Sequence, residues 1–307
     1  MKTNLAVSTA SFSLSLLLLA APGTSRADSL FVGNVGNSTI EEFSSSGVGR
    51  TFGSLTLGAP GGLAFDNSGN LYVASSSGSI EKFNSSGVGT LFASTSAYTE
   101  GLAFDSVGNL YAGNYFNNSV EKYNSSGTDL GVFANSANSG QFTPWGLAFD
   151  SAGNLYVASE SSNTIEKFNS SGVGTVFASS GLALPRGVAF DSAGNLFVAN
   201  AGSGYIVEFN SSGGVLSSNV TVFATALDHP NGLAFDSAGN LYVANSGNNT
   251  IEEFNSSGTD LGVFASSASS GLSMPVDLAF QPVPEPSTWA LLAGGLIALL
   301  PVRRRRV

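Results

Sequence analysis

The chain has 307 residues, of which only 10% are charged, and it contains 38 glycines but no cysteine. Few charges, many glycines and recurring clusters of Ser and Asn favour an all-β chain with many turns over a helical one. Positions 28 to 283 hold 20 acidic and 5 basic residues, a net charge of −15 that repels nucleic acid, so we expect no DNA or RNA partner.

The first 27 residues have the organisation of a secretory signal peptide. Lys2 precedes an apolar stretch over residues 12–21, and the segment ends in a small-x-small pattern at residues 25–27. This order predicts export and cleavage between Ala27 and Asp28. The alternative is a membrane-spanning anchor, but an apolar run of about ten residues is roughly half of what a bilayer requires.

One sequence pattern then recurs at intervals of 39 to 45 residues. It opens with Gly-Leu-Ala-Phe-Asp or a close variant, and its six copies begin at Gly62, Gly101, Gly146, Gly187, Gly232 and Asp277. Each complete copy continues with a tight turn, a segment similar to Asn-Leu-Tyr-Val-Ala, a third segment such as residues 80–83, and a fourth such as residues 175–178. Four short strands at this period are typical of one β-propeller blade.

The chain starts and ends in the middle of a blade. Residues 30–34 match a second strand, residues 40–43 match a third, and residues 277–280 match a first strand with no successor. Joined, these segments complete a sixth blade and leave no open sheet edge. We therefore predict an all-β fold, a six-bladed β-propeller of four-stranded blades over residues 28–282, closed by joining the N-terminal strands to the last C-terminal strand.

The repeated units resemble the NHL-repeat family over nearly all of residues 29–281. The resemblance implies a six-bladed propeller. The family includes scaffolds and binding modules as well as lyases and lactonases, so the resemblance leaves the function open.

The repeated Asp of each copy has a structural explanation. An Asp before a tight turn accepts local backbone N–H groups, so we predict a role in turn formation for Asp66, Asp105, Asp150, Asp191 and Asp236.

A site for one ligand requires positions at which the six copies differ. The residues just before the repeated Gly, or before Asp277, are predicted to surround the mouth of the central channel: Gly61, Glu100, Trp145, Arg186, Asn231 and Val276. Further departures from the repeat nearby are Tyr115, Phe116, Glu160 and His229. An acid, a base, an amide and aromatics around one funnel predict a small polar binding site. The alternative is that these are ordinary loop residues that drifted after duplication.

The residue types restrict the chemistry of an enzymatic site. His229 is the only histidine, which excludes a His-rich zinc or iron site, and the absence of Cys excludes thiol catalysis. A calcium ion is the one cofactor left, with Glu100, Asn231 and Asp277 as candidate ligands. Such a site would resemble gluconolactonase-like propellers, although Gly61, Trp145 and Val276 depart from their ligand sets. A lyase resembling the streptogramin-inactivating propellers would need a catalytic histidine, and His229 is the lone candidate for it. The sequence alone does not assign a catalytic residue.

The last 25 residues form a tripartite tail. It consists of Pro284-Glu285-Pro286, an apolar run that ends at Leu300, and four arginines, Arg303, Arg304, Arg305 and Arg306. This tail resembles the PEP-CTERM sorting signal, which implies that an exosortase recognises and cuts it while the rest of the protein is delivered to the cell surface or extracellular matrix.

The apolar part of the tail is short for a membrane span. Residues 287–302 would form a transmembrane helix of about 24 Å against a hydrocarbon core of ~30 Å, with the arginines on the cytoplasmic side. A permanent C-terminal anchor is the alternative to cleavage. Residues 283–307 are thus predicted to be a sorting tail that inserts in the membrane until it is processed.

We therefore predict an exported surface or matrix protein that acts as a binding or scaffold module, with exopolysaccharide or another surface protein as its partner. The alternative is a divalent-metal-dependent lactonase or lyase that acts at the channel mouth.

Overall fold

The computed structural model describes residues 29–56, 58–95, 98–135 and 142–282. Within them, 24 strands form six antiparallel sheets of four strands each. The first twelve strands are β1 (Leu30–Asn34), β2 (Thr39–Phe43), β3 (Gly49–Ser54), β4 (Pro60–Phe65), β5 (Leu71–Ser75), β6 (Ser79–Phe83), β7 (Gly89–Ser94), β8 (Thr99–Phe104), β9 (Leu110–Asn114), β10 (Ser119–Tyr123), β11 (Asp129–Asn135) and β12 (Pro144–Phe149). The others are β13 (Leu155–Ser159), β14 (Thr164–Phe168), β15 (Gly174–Ala178), β16 (Pro185–Phe190), β17 (Leu196–Asn200), β18 (Tyr205–Ser212), β19 (Val215–Ala224), β20 (Pro230–Phe235), β21 (Leu241–Asn245), β22 (Thr250–Phe254), β23 (Asp260–Ser266) and β24 (Pro275–Phe280), with a short helix α1 (Ser267–Ser270) before β24.

The sheets are the blades of a propeller. Blade 1 has the strand order β24-β1-β2-β3, and blades 2 to 6 each use four consecutive strands from β4 to β23. The N-terminal strand β1 pairs with the C-terminal strand β24, with Leu30 opposite Phe280 and Val32 opposite Leu278. The predicted all-β fold, its six blades and its closure between the chain ends are confirmed.

The core lies between adjacent blades. An aromatic residue of each second strand contacts the fourth-strand Phe of its own blade and the first-strand Phe of the next. Tyr72, for example, meets Phe92 at 4.8 Å and Phe104 at 5.0 Å, both edge to face. The same arrangement recurs in the triplets Phe31/Phe52/Phe65, Tyr111/Phe133/Phe149, Tyr156/Phe177/Phe190, Phe197/Phe223/Phe235 and Tyr242/Phe264/Phe280. Edge-to-face pairs of this kind stabilise a core beyond the area they bury.

The third strands of blades 1 to 4 bury a carboxylate as well as apolar side chains. In β6, Ile80, Glu81 and Phe83 are all buried, because neighbouring blades cover both faces of the strand. Glu81 Oε1 accepts a hydrogen bond from Thr56 N at 3.1 Å, and Glu41 Oε1 accepts one from the Thr51 hydroxyl at 2.9 Å. A buried carboxylate needs such partners to offset its lost hydration.

The propeller has two different faces. On the face that we call the mouth face, each first strand begins beside the turn between the second and third strands. A backbone hydrogen bond joins the two loops in every blade, for example from Tyr115 N to Tyr98 O at 2.9 Å and from Glu160 N to Thr143 O at 3.2 Å. The opposite face, which we call the turn face, carries the turns between strands one and two and between strands three and four.

The repeated Asp residues form turns on the turn face. Asp66 Oδ1 accepts from the backbone N–H groups of Ser68 and Asn70, both at 2.9 Å, and its Oδ2 accepts from the Asn70 amide at 2.7 Å. Partial burial opposes ionisation, but these hydrogen bonds and the charge of Lys82 hold the pKa of Asp66 below its usual value. The same contacts recur at Asp105, Asp150, Asp191 and Asp236, which confirms the predicted role in turn formation.

The predictions for the two chain ends lie outside the described residues. They are the signal peptide over residues 1–27 with its cleavage at Ala27, and the sorting tail over residues 283–307 with its transmembrane helix. None of the helices in the described part of the chain has the length and apolar character of a membrane span.

Candidate functional site

A small cavity lies on the propeller axis, where the six first strands meet. It has a volume of about 90 Å³. Its apolar layer is a ring of one side chain from each blade: Leu63, Leu102, Leu147, Val188, Leu233 and Leu278.

Above this layer the first strands approach each other at their repeated glycines. A Cβ atom at Gly146 would lie 2.3 Å from Arg186 O, and one at Gly187 would lie 2.2 Å from Asn231 O. Glycine is therefore required there, because a side chain would overlap the backbone of the next blade.

Asp277 takes the place of the sixth glycine. Its Oδ2 accepts a hydrogen bond from Leu63 N at 2.7 Å, and its Oδ1 lies so close to Gly232 that a Cβ on that glycine would be 2.6 Å away. Burial raises the pKa of Asp277 to about 7, although the backbone N–H groups of Leu63 and Leu278 oppose the shift. Asp277 thus places a carboxyl group with a raised pKa in the cavity wall.

Glu100 is a second acid at the mouth, and it is buried. Its side chain is 6% exposed and is hydrogen-bonded to the Tyr98 phenol. Burial raises the pKa of Glu100 to about 8, with smaller contributions in the same direction from Glu160 and Asp277, while Tyr98 and Arg186 oppose it. Both acids are therefore neutral under mildly acidic conditions and can donate as well as accept hydrogen bonds.

Arg186 connects three blades. Its Nε donates to Glu160 Oε1 at 2.9 Å, and its Nη1 donates to Asn231 Oδ1 at 2.6 Å. The guanidinium group also lies 4.4 Å from the centroid of the Trp145 ring. These contacts fix the cation in place, so it organises the mouth and keeps little capacity to bind an anion.

Four aromatic side chains form a continuous row beside these polar groups. Phe116 packs 5.6 Å from Tyr98 and 5.3 Å from Tyr115, and Tyr115 packs 5.7 Å from Trp145. The Tyr115 hydroxyl donates to Glu160 Oε2 at 3.0 Å. Phe116 is 71% exposed, so this aromatic row offers an apolar surface to solvent at the edge of the mouth.

The structure brings together most of the residues that the sequence singled out. Glu100, Trp145, Arg186, Asn231, Tyr115, Phe116 and Glu160 lie in one network. His229 is on the same face, but its side chain is 68% exposed and contacts Asp228, with 2.8 Å between Nδ1 and Oδ1. The network is one-sided, since blades 1 and 2 contribute Val276 and Gly61 to the cavity wall.

Tyr98 is the member of the network that sequence reasoning missed. It lies three residues before the repeated Gly101, where the other copies have Ala59, Thr143, Leu184, His229 and Met274. Tyr98 departs from the repeat at the same position as His229, and this departure is the signal that marks it in the sequence.

The donor set for a metal ion is small. Glu100, Asn231 and Asp277 all line the cavity, but no group of three or more His, Cys, Asp or Glu that could hold a metal occurs among the described residues. Arg186 donates to the Asn231 oxygen that a calcium ion would use, and Ca²⁺ takes six to eight oxygen ligands. The calcium site therefore remains a prediction that these contacts do not favour.

Two family models match the chain. The model described as NHL repeat matches residues 227–254, and the model described as PEP-CTERM protein-sorting motif matches residues 282–306. No curated protein matches the chain.

Several solved structures are similar in fold. A structure of a nidogen/laminin complex has a TM-score of 0.74 at 20% identity and covers 84% of this chain and 99% of its own. A protein of unknown function from Bacteroides caccae has a TM-score of 0.64 at 15% identity and covers 83% and 99%. A gluconolactonase from Xanthomonas campestris has a TM-score of 0.59 at 18% identity and covers 73% and 83%. Identities this low show the fold alone. The chain thus combines a six-bladed β-propeller that contains a match to the NHL repeat with a C-terminal match to the PEP-CTERM protein-sorting motif.

Proposed function

We propose that the propeller is a binding module that acts outside the cell and takes a neutral, polyhydroxylated ligand, such as a sugar unit of an exopolysaccharide, at its channel mouth. The observation that carries this proposal is the one-sided network around Arg186. In a fold whose blades otherwise repeat, it places an aromatic row next to buried hydrogen-bonding groups.

The chemistry of the mouth suits a sugar. A sugar ring has apolar C–H faces that pack on aromatic rings and hydroxyl groups that both donate and accept hydrogen bonds. The exposed Phe116 ring supplies the first kind of contact. Glu100, Glu160 and Asn231 supply the second. An apolar surface with a few convergent polar groups is the usual composition of a small-molecule site.

The charges at the mouth disfavour ionic ligands. An anion would face Glu160 and the overall negative charge of the protein, and a cation would approach the guanidinium of Arg186, which already lies on Trp145. Like-charge contacts of this kind reduce binding. A neutral ligand avoids both.

Tryptophan fluorescence can test the proposal. The chain has two tryptophans, Trp145 at the mouth and Trp289 in the tail, so the full chain with Trp289→Phe carries a single probe at the site. Titration with neutral oligosaccharides of gluco, galacto and manno configuration should change the emission of Trp145 in a saturable way. Oligogalacturonate, which is anionic, should bind more weakly.

Two matched variants define the site. Phe116→Ala should weaken binding by about tenfold, which corresponds to ~1.4 kcal/mol and is in the range of one aromatic contact. Val88→Ala removes an exposed side chain on the turn face and should leave binding unchanged. Equal losses in both variants, or no saturable signal with any neutral oligosaccharide, would rule out a sugar site at the mouth.

A further inference from the structure

Both ends of the described chain leave the propeller on the turn face. Leu30 is paired with Phe280, and Gln281 N donates to Ser29 O at 3.0 Å. The Gln281 amide also donates to Gly69 O at 3.4 Å, and Gly69 belongs to a turn on that face. Because β24 is the innermost strand of blade 1, the chain leaves close to the propeller axis.

The connection from this point to the tail is short. Residues 283–288 separate Pro282 from Trp289, and even a fully extended chain spans at most about 25 Å between these two residues at ~3.3–3.6 Å per residue.

The dimensions of the disc exceed that reach. Four strands at ~4.8 Å spacing, set around a central cavity, give a radius of roughly 20 Å, and strands of five or six residues give a thickness of about 17–20 Å. If the mouth face were turned toward the membrane, the chain would have to run from the axis across the turn face and around the rim, about 40 Å in all. Residues 283–288 cannot bridge that distance.

We propose that the turn face lies against the lipid bilayer while the sorting tail is held in it, and that the mouth faces away from the membrane. The PEP-CTERM motif indicates an exported protein that is membrane-anchored before processing, so this arrangement applies from membrane insertion until the tail is cut. It does not depend on the identity of the ligand at the mouth.

The surface chemistry of the turn face is compatible with an adjacent bilayer. Its loop tips carry single exposed apolar residues in five blades, with exposed fractions between 58% and 80%: Val48, Val88, Val107, Val173 and Val215. In blades 2 to 4 its lysines are paired with the Asp residues of the turns at 3.5 to 3.8 Å. Blades 5 and 6 have Glu208 and Glu253 in place of the lysine, so a zwitterionic lipid surface suits this face better than an anionic one.

Single-cysteine labelling tests the orientation, since the chain has no native cysteine. Val88→Cys and Val173→Cys lie on the turn face, and Asn248→Cys lies in an exposed turn on the mouth face. The full chain, labelled at one site with a fluorophore, is inserted through its tail into phosphatidylcholine vesicles that contain a headgroup-nitroxide lipid. We expect quenching several-fold greater at both turn-face sites than at position 248. Equal quenching at all three sites, or stronger quenching at position 248, would overturn the proposal.

A linker variant tests whether the short connection over residues 283–288 is what orients the propeller. A flexible Gly-Ser segment inserted between Pro282 and Val283, long enough to double the reach, should abolish the difference between the two faces. If the difference persisted undiminished, the short tether would not be what orients the disc. All three labelled positions are exposed, so thermal unfolding of each labelled protein should match that of the parent chain. Ser171→Cys, in the same turn as Val173, is a second turn-face site if one variant does not fold.

Discussion

Glu100→Gln tests whether the mouth contains an acid that is buried without a full compensating charge. Glu100 is 6% exposed, and burial raises its pKa to about 8 from a usual 4.5, in spite of the Tyr98 hydrogen bond and the proximity of Arg186. Glutamine keeps the shape of the side chain and can accept the same hydrogen bond from Tyr98, but it does not ionise. The variant therefore removes the ionisation of Glu100 and little else.

The magnitude follows from proton linkage. Between pH 4.5 and about 8 the unfolded chain releases the Glu100 proton while the folded protein keeps it, so the free energy of unfolding falls as the pH rises. The complete loss is at most ~5 kcal/mol, because one pKa unit corresponds to about 1.36 kcal/mol. Below pH 4.5 Glu100 is neutral in both states and adds no pH dependence. The stability of Glu100→Gln relative to wild type should therefore rise through this range and level off above pH 8.

Urea unfolding of both proteins across the pH range measures this difference. Asp277 contributes a slope of the same sign between pH 3.8 and about 7, but it is present in both proteins and largely cancels in the comparison. A difference in unfolding free energy that stays constant from low to high pH would refute the reasoning. It would mean that water or Arg186 compensates the Glu100 charge completely.

Two further substitutions test the repeat itself. Glu253→Lys should stabilise the protein by about 0.5–1 kcal/mol. Blades 2 to 4 have a lysine at this position, and its ammonium group lies over the ring of the tyrosine that corresponds to Tyr242. An unchanged urea midpoint would contradict this prediction. Gly146→Ala should destabilise by roughly 1–3 kcal/mol, because its Cβ would lie 2.3 Å from Arg186 O, and an unchanged melting temperature would show that the first strands are not packed this closely.

The sequence was sufficient to predict the propeller because each blade repeats the same signals. Six copies of one pattern determined the number of blades, and the incomplete copies at the two ends predicted the pairing of β1 with β24. The burial of Glu81 was not predictable from its own strand, because alternation of polar and apolar residues assumes one solvent-exposed face. In a propeller the neighbouring blade covers that face.

The candidate site was predictable in composition but not in connectivity. Differences among the copies identified Glu100, Trp145 and Arg186. The contacts of Arg186 join residues 26 and 45 positions away, and no local pattern specifies a side-chain contact between blades. His229 shows that a departure from the repeat does not by itself identify a member of the network. It lies on the predicted face, but its side chain contacts the neighbouring Asp228 and not the network.

The two faces of the propeller differ in how far their residues have diverged. On the turn face, Asp and Asn make the same hydrogen bonds in blade after blade, and these residues serve folding. On the mouth face, the position before the repeated glycine holds a different residue in every blade. If the tail holds the turn face against the membrane, the divergent face is the one that a large extracellular ligand can reach. A mouth turned toward the bilayer would admit little beyond lipid and small solutes. The proposed orientation and the one-sided aromatic row are therefore both consistent with binding of a large extracellular ligand at the mouth.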